Sequence, residues 1–364
     1  MNKKMIIYMP KLSVGGMEKA LVNLLNMSDL TKKYKILLYL GYSTEKKYLD
    51  DIPEDVEIKL LCKGKWNLFG KILCLIKMIG TYLYLTITRK KYDCAISYAY
   101  QHGILAMLAR KSSDNNIIFI HNDLLSSRTD KELKKMKKRL KFDLFKKVVC
   151  VSDKALDSFK KIYPDYKGKV VSIYNYIDGA TILKKSNEKV NDIKKESITT
   201  FINIGRHEEK AKKITRIIEA SNILIKKGYK FRVILVGDGQ DHNLYIDLIK
   251  KYNLENTVIL LGKKVNPYPY LKLSDCFVLS SQYEGYGIVI DEARILGVPV
   301  ISTDVADAKK IMNEGFGILC DNSEEGIING MKSFLEKGYK IKNKFDYNRF
   351  NDEITEKLND FVGV

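Results

Sequence analysis

Short apolar runs recur along the whole chain, each closed by glycine or polar residues and followed by a helical or polar segment. In the first half they are Met5–Met9, Lys35–Leu40, Val56–Leu61, Cys94–Tyr98, Ile117–Ile120, Val148–Val151 and Lys169–Ile173. In the second they are Thr200–Ile204, Phe231–Val236, Val258–Leu261, Cys276–Leu279, Val298–Ser302 and Gly317–Leu319. Such runs predict strands, and their regular alternation with helical segments in the second half predicts a parallel sheet covered on both faces. At 364 residues the chain is too long for one ordinary core and fits two domains of about 180 residues. The polar run Lys184 to Ser197 reads as the link between them.

Other helical patterns stand out. Leu21, Leu24 and Leu25 share one face of a helix expected from about Met17 to Asn26. Leu133, Met136, Leu140 and Leu144 recur at helical spacing within Lys131–Lys147, where nine of seventeen residues are basic. This predicts an amphipathic helix with a cationic outer face. Ile72 to Ile87 is apolar apart from Lys77, Gly80, Thr81 and Thr86, yet shorter than the ~20 residues needed to span a bilayer. It reads as a buried or surface-lying helix. The N-terminal apolar run is too short for a signal peptide and reads as the first strand.

Composition changes the picture through the placement of charge. The apolar fraction is 45% and the formal charge +19. Residues 1–175 hold 34 Lys and Arg against 17 Asp and Glu, and residues 176–364 hold 29 against 27. A basic first half beside a nearly neutral second implies an anionic partner for the first, and with the cationic helix it favours anionic lipid headgroups. The six cysteines, Cys62, Cys74, Cys94, Cys150, Cys276 and Cys320, are scattered without a C-x-x-C pair. Reduced, buried thiols in a cytoplasm fit this usage better than a zinc site or a disulfide frame.

Candidate chemistry gathers just after strands, where doubly wound sheets put their ligands. Glu284 to Glu292 brackets a glycine turn after Cys276–Leu279. Gly285 and Gly287 leave room for a ligand, and a helix starting near Tyr286 would offer unpaired amides to a phosphate. Were the interval wholly helical, the two carboxylates would stand roughly 12 Å apart at ~1.5 Å per residue, one for each end of a sugar, diphosphate and ribose. An amphipathic helix with a solvated Glu at each end has the same spacing. A loop with Ser13, Gly15 and Gly16 follows the first strand, His121 the fifth, and Gly205-Arg206, Gly237-Asp238-Gly239, Gly262-Lys263 and Thr303-Asp304 other strands.

Several classes are excluded. Gly237-Asp238-Gly239-Gln240-Asp241-His242 lacks the third glycine of a dinucleotide fingerprint. No P-loop lysine motif, G-x-S-x-G or H-E-x-x-H occurs. No two aspartates stand two apart, so there is no D-x-D pair to hold a divalent metal, and phosphate charge falls to Arg, Lys and backbone amides. Nothing shows the stacking aromatics of an RNA platform.

These segments resemble family 4 of the retaining nucleotide-sugar glycosyltransferases, whose GT-B fold sets two Rossmann-like domains face to face across a cleft. Glu284 and Glu292 match its E-x7-E pattern. Asn203-Ile204-Gly205-Arg206 matches the segment whose Arg meets the donor diphosphate, and Lys212 aligns with its partner Lys. Val236 to Gly239, Asn266-Pro267-Tyr268 and Gly297 to Asp304 are also similar. Gly15-Gly16-Met17-Glu18 looks like the N-terminal glycine loop, and His121 like the active-site His. The interval from Arg206 is one residue longer than usual, so Lys210 competes with Lys212. The glycine often found near Ala306 and the acid near Lys310 are absent.

The resemblance implies an acceptor-binding domain over 1–178, a donor-binding domain over 179–345 and a helix over 346–364 crossing back to the first. Arg206 and Lys212 would neutralise the leaving diphosphate without metal or other cofactor, aided by amides of Gly16 and of Gly287, Ile288 and Val289. Glu292 would take the ribose, Glu284 the sugar hydroxyls and His121 the sugar's far side. Lys263, Val265 and Tyr268 would border the base, read as uracil. Gly15, Gly205, Gly237, Gly285 and Tyr286 complete the expected donor lining. The acceptor would be a lipid-linked sugar or polysaccharide at the cytoplasmic membrane face, and no nucleic acid is expected. The rival is a non-catalytic binder of anionic polymer or membrane built on the same fold.

Overall fold

A computed structural model describes residues 3–12, 15–42, 49–62, 68–88 and 92–363. Ser13 lies outside the described residues, as do the side chains of Cys62 and Cys74. All thirteen apolar runs form strands, with ends within about two residues of those expected. They fall in two compact units, Met1–Tyr176 with Arg349–Val364, and Ile177–Asn348.

The first unit holds β1 (Lys3–Met9), β2 (Tyr34–Tyr42), β3 (Glu57–Cys62), β4 (Cys94–Ser97), β5 (Asn116–Ile120), β6 (Lys147–Cys150) and β7 (Lys169–Ser172). They pair in the order β3-β2-β1-β4-β5-β6-β7, every pair parallel. The two-residue period of β1 shows why both faces must be covered. Met5, Ile7 and Met9 pack with Leu21, Leu24 and Leu25 of the Gly16–Met27 helix, and with Ile354, Leu358 and Val362 of the Tyr347–Val362 helix. Ile6 and Tyr8 pack on the other face, with Leu105 and Leu108 of the Gly103–Ser112 helix and Leu133 and Met136 of the Asp130–Leu140 helix. The last helix of the chain therefore belongs to the core of the first unit.

The second unit holds β8 (Thr199–Ile204), β9 (Phe231–Val236), β10 (Val258–Gly262), β11 (Cys276–Leu279), β12 (Val300–Thr303) and β13 (Gly317–Cys320). Their order is β10-β9-β8-β11-β12-β13, again wholly parallel. Phe201, Val233 and Val278 pack beneath Ile217 and Leu224 of the Thr215–Lys226 helix and Ile327 and Met331 of the Glu324–Lys337 helix.

Two expectations change, at the basic helix and at the polar run, while the apolar stretch takes the surface-lying of its two readings. The basic helix ends at Leu140, because Lys141 turns left-handed (φ 47°) and stops it. Phe142 then takes the buried place, and Leu144 is left 57% exposed. Its start is fixed by a capping box, Thr129 with Glu132. The Ile72–Ile87 stretch lies within the Leu68–Thr88 helix and turns much of its apolar surface outward. The polar run Lys184–Ser197 is not a free link but lies in the second unit, where Asp192 accepts from Lys264 (2.6 Å) and Tyr270 (2.9 Å). Cys94, Cys150, Cys276 and Cys320 are free and buried, and burial pushes the Cys94 thiol up to about 12.

Leu358 is fully buried among residues of the first unit. Leu358→Ala is expected to lower stability by about 3 kcal/mol, read from urea unfolding. An unchanged midpoint would mean that the terminal helix adds nothing to this core.

Candidate active site

Strand order reverses between β1 and β4 in the first sheet and between β8 and β11 in the second. At such a point the connections leave over opposite faces and open a crevice beyond the carboxyl ends of the strands. Of the residues singled out from the sequence, Gly15 and Gly16 follow β1, Arg206 follows β8 and Glu284 follows β11, the strands that flank these reversals.

In the second unit, the loop after β8 is laced to the loop after β9. Gly205 N–H donates to Val236 O (3.0 Å), His207 N–H to Asp238 O (3.0 Å) and Asp241 N–H to His207 O (3.1 Å). Gly237 has φ +152°, and a Cβ there would overlap the carbonyl oxygen of Gly205. At Gly239 a Cβ would overlap the carbonyl of His207. The two glycines thus serve the close approach of two loops behind Arg206. His207 is fully buried and stacks on His242, their Nδ1 atoms 2.8 Å apart, with Tyr245 edge-on. Burial, and then the neighbouring His242, hold His207 down at about 4.

The centre of the site is an ion pair. Lys212 Nζ lies 2.6 Å from Glu284 Oε1, with side chains 25% and 13% exposed. Ser281 Oγ donates to the same oxygen (2.7 Å). Both bonds land on Oε1, which leaves Oε2 as an acceptor without a bond to the described residues, and two of the three Nζ donors of Lys212 open. The pair is tied down from behind: Ser280 Oγ donates to Lys212 O (2.9 Å) and Gln282 N–H to Ala211 O (2.8 Å). Arg216 spans Ser280 O (3.0 Å), Gln282 (2.8 Å) and Asn322 (2.7 Å). Lys210 is exposed, so of the two competing lysines it is Lys212 that meets Glu284. Arg206 is 64% exposed and pairs with Glu208 at 3.4 Å rather than with either glutamate of the pattern.

The helix after Glu284 runs Ile288–Ile295, two residues later than expected, because Gly287 sits left-handed (φ 82°) as its N-cap. The interval from Glu284 to Glu292 is therefore not wholly helical, and the 12 Å estimate does not apply. No side chain caps this helix, so its first amides remain available to an anion. Gly285 and Tyr286 are buried before it. Glu292 is buried on the helix and accepts from Tyr268 Oη (3.3 Å). Its neighbour Asp291 is held by Tyr286 and by Arg294 (2.8 Å). At the end of β10, Gly262 is left-handed (φ 65°), and beyond it Lys263 is exposed and Val265 is 84% exposed.

In the first unit, Gly15 and Gly16 lead from β1 into the Gly16–Met27 helix, with Gly15 as its N-cap. A Cβ on Gly15 would meet the carboxylate of the buried Glu18. His121, just after β5, is buried against Tyr98 (rings 4.6 Å apart) and its Nε2 bonds Tyr98 O at 2.7 Å. A carbonyl only accepts, so Nε2 carries the proton and Nδ1 is the acceptor. Burial keeps the ring neutral down to about 4, against the opposing pull of the Tyr98 carbonyl. Among the described residues no three His, Cys, Asp or Glu gather as a metal site.

Residues 184–352 match the protein family described as glycosyl transferases group 1. The N-acetyl-alpha-D-glucosaminyl L-malate synthase of Bacillus anthracis is 27% identical over 62% of this chain and 60% of its own length. The N-acetylgalactosamine-N,N'-diacetylbacillosaminyl-diphospho-undecaprenol 4-alpha-N-acetylgalactosaminyltransferase of Campylobacter jejuni is 30% identical over 47% of each chain. The chain thus spans about half the length of these relatives. Anabaena HepE, solved in complex with UDP and glucose, superposes with a TM-score of 0.73 over 98% of this chain and 99% of its own, at 18% identity. The fold is that of GT-B glycosyltransferases, with two Rossmann-like domains.

Ser281 escaped the sequence reading although it stands three residues before Glu284 in the same window. His207, His242 and Arg216 left no signal, since a buried imidazole pair and a loop-spanning guanidinium have no characteristic spacing.

Both His121 and His207 are held neutral in the glycosyltransferase fold to about pH 4, whereas in the unfolded chain they take up a proton near 6.5. Stability is complete above that value and falls as pH drops towards 4. Between pH 7 and pH 5 each histidine is expected to withdraw about 2 kcal/mol, and His207→Gln to flatten the dependence accordingly. Urea unfolding at the two pH values checks this, and equal losses in wild type and variant contradict it.

Proposed function

We propose that the chain is a family 4 retaining glycosyltransferase that moves a sugar from a UDP-sugar to a lipid-linked or polysaccharide acceptor, in bacterial surface polysaccharide biosynthesis. The observation that carries this reading is the Lys212–Glu284 pair at the β8/β11 reversal, where Arg206 leaves β8 and an uncapped helix begins. The diphospho-undecaprenol in the name of the Campylobacter jejuni relative and the UDP bound by HepE support the choice of acceptor and donor.

The chemistry follows from the charges. The bond from the sugar's anomeric carbon to the diphosphate oxygen breaks, and negative charge builds on that oxygen. Lys212 Nζ, Arg206 and the amides of Gly287 to Val289 meet it, with no divalent metal required. Glu284, paired with Lys212, offers Oε2 to a sugar hydroxyl. Glu292 takes the ribose hydroxyls, and Gly262 to Tyr268, with Lys263 and Val265, borders the base. The acceptor hydroxyl attacks on the face the diphosphate leaves, and its proton passes to the departing phosphate oxygen. No carboxylate is assigned as nucleophile, because attack and departure share one face and the departing phosphate assists the acceptor.

The acceptor end belongs to the basic first half. The Asp130–Leu140 helix carries six Lys and Arg against two acids, and this cationic face meets anionic headgroups at the cytoplasmic side of the membrane.

The test is UDP release from a panel of UDP-sugars, with and without an isoprenoid-diphosphate sugar. Release and transfer should survive EDTA, and Arg206→Ala or Lys212→Ala should each lower turnover about 100-fold, the usual loss of one well-placed donor. Near-normal transfer by both variants, or an absolute need for added metal, contradicts the assignment.

A further inference from the structure

Seven of the thirteen large hydrophobic side chains exposed among the described residues sit on one helix, Leu68–Thr88. Ile72, Leu75, Ile76, Ile79 and Leu83, each between 45% and 59% exposed, fall three or four residues apart and form one continuous stripe. The opposite side of the helix is anchored. Met78, Tyr82 and Leu85 pack into the core of the first unit, and Thr81 Oγ1 bonds Tyr39 Oη at 2.9 Å. Surface helices normally turn their polar side to solvent; this one carries no Asp or Glu anywhere along its 21 residues.

The identity of what covers the stripe is set by its surroundings. Leu85 of this helix shares one hydrophobic cluster with Leu133, Met136 and Leu140 of the basic helix, so both lie over the same face of the sheet. The Gly103–Ser112 helix touches both. An apolar stripe thus shares a face with a cationic surface, the combination that suits a bilayer boundary with anionic headgroups. A second copy of the chain fits poorly, since it would bring together two first halves that each hold 34 Lys and Arg against 17 Asp and Glu. No helix among the described residues is long and apolar enough to cross a membrane, and the packed inner side keeps this one on the sheet.

We propose that the Leu68–Thr88 helix is a membrane-docking element that lies in the plane of an anionic bilayer, its outward stripe set into the boundary between headgroups and acyl chains. The inference deepens the membrane contact proposed above and is independent of the transfer chemistry. It adds an apolar contribution that salt does not screen to an electrostatic one that salt does.

The test is flotation of the full chain with vesicles of phosphatidylcholine and phosphatidylglycerol in equal parts. Wild type should bind, and a substantial fraction should stay bound in about 1 M salt, where the screening length falls to roughly 3 Å. The I76S/I79S/L83S variant should bind about a hundredfold more weakly and be released completely by salt, because three apolar anchors are lost. K134E/K138E should weaken binding at low salt only. Because the three serines replace exposed residues, urea unfolding of that variant should match wild type. Salt-resistant binding by the serine variant overturns the proposal, and so does complete salt release of wild type. Light scattering that finds a wild-type dimer and a monomeric serine variant assigns the stripe to self-association and overturns it equally. Transfer to a detergent-dispersed acceptor, measured alongside, reports on the glycosyltransferase reading alone.

Discussion

Strand order reverses once in each sheet, and the Lys212–Glu284 pair stands at the reversal in the second. On either side of a reversal the connections cross to opposite faces, so no backbone covers the gap between the two strand ends. In the second unit that gap exposes Lys212 and Glu284. Two half-buried charges there are stable only together, and their distance of 2.6 Å satisfies each. Ser281, Ser280 and Arg216 fix the loops that carry them. The result is a cation with open donors beside a carboxylate with an open oxygen, held before any ligand arrives. Preorganisation of this kind is what makes a charged site effective against charge that develops during reaction.

Most of the architecture was legible in the chain because buried parallel strands leave short apolar runs that nothing else imitates. All thirteen were recognisable, and so was the placement of glycine, arginine and acid just beyond them. What the spacing could not convey was the path of the loops. Arg206 to Lys212 is one residue longer than the family pattern, and only the fold tells Lys212 from Lys210. The left-handed Gly287 delays the helix to Ile288, a detail invisible in a run that suits a helix from Tyr286 onward. Leu144 continued the helical period of the basic segment but lies beyond Lys141, whose left-handed turn gives the buried place to Phe142. His207 shows the limit most plainly: its burial comes from His242 and Tyr245, brought in from a different strand end.

The uneven division of charge has a structural counterpart. The second unit is nearly neutral and carries the Lys212–Glu284 pair beyond the carboxyl ends of its strands. The first unit spreads cations over the Asp130–Leu140 helix and apolar side chains over the Leu68–Thr88 helix, both on one face of its sheet. The opposite face is closed by the Gly16–Met27 and Tyr347–Val362 helices, so the segment that ends the chain completes the core that begins it.

The claim on which the account turns is that the Lys212–Glu284 pair is the anchoring point for a nucleoside diphosphate. A crystal structure of the protein soaked with UDP tests it most directly. The account predicts the diphosphate within hydrogen-bond distance of Lys212 Nζ and of the Ile288 and Val289 amides, with the ribose on Glu292. UDP bound elsewhere, with the Lys212–Glu284 pair untouched, would contradict it.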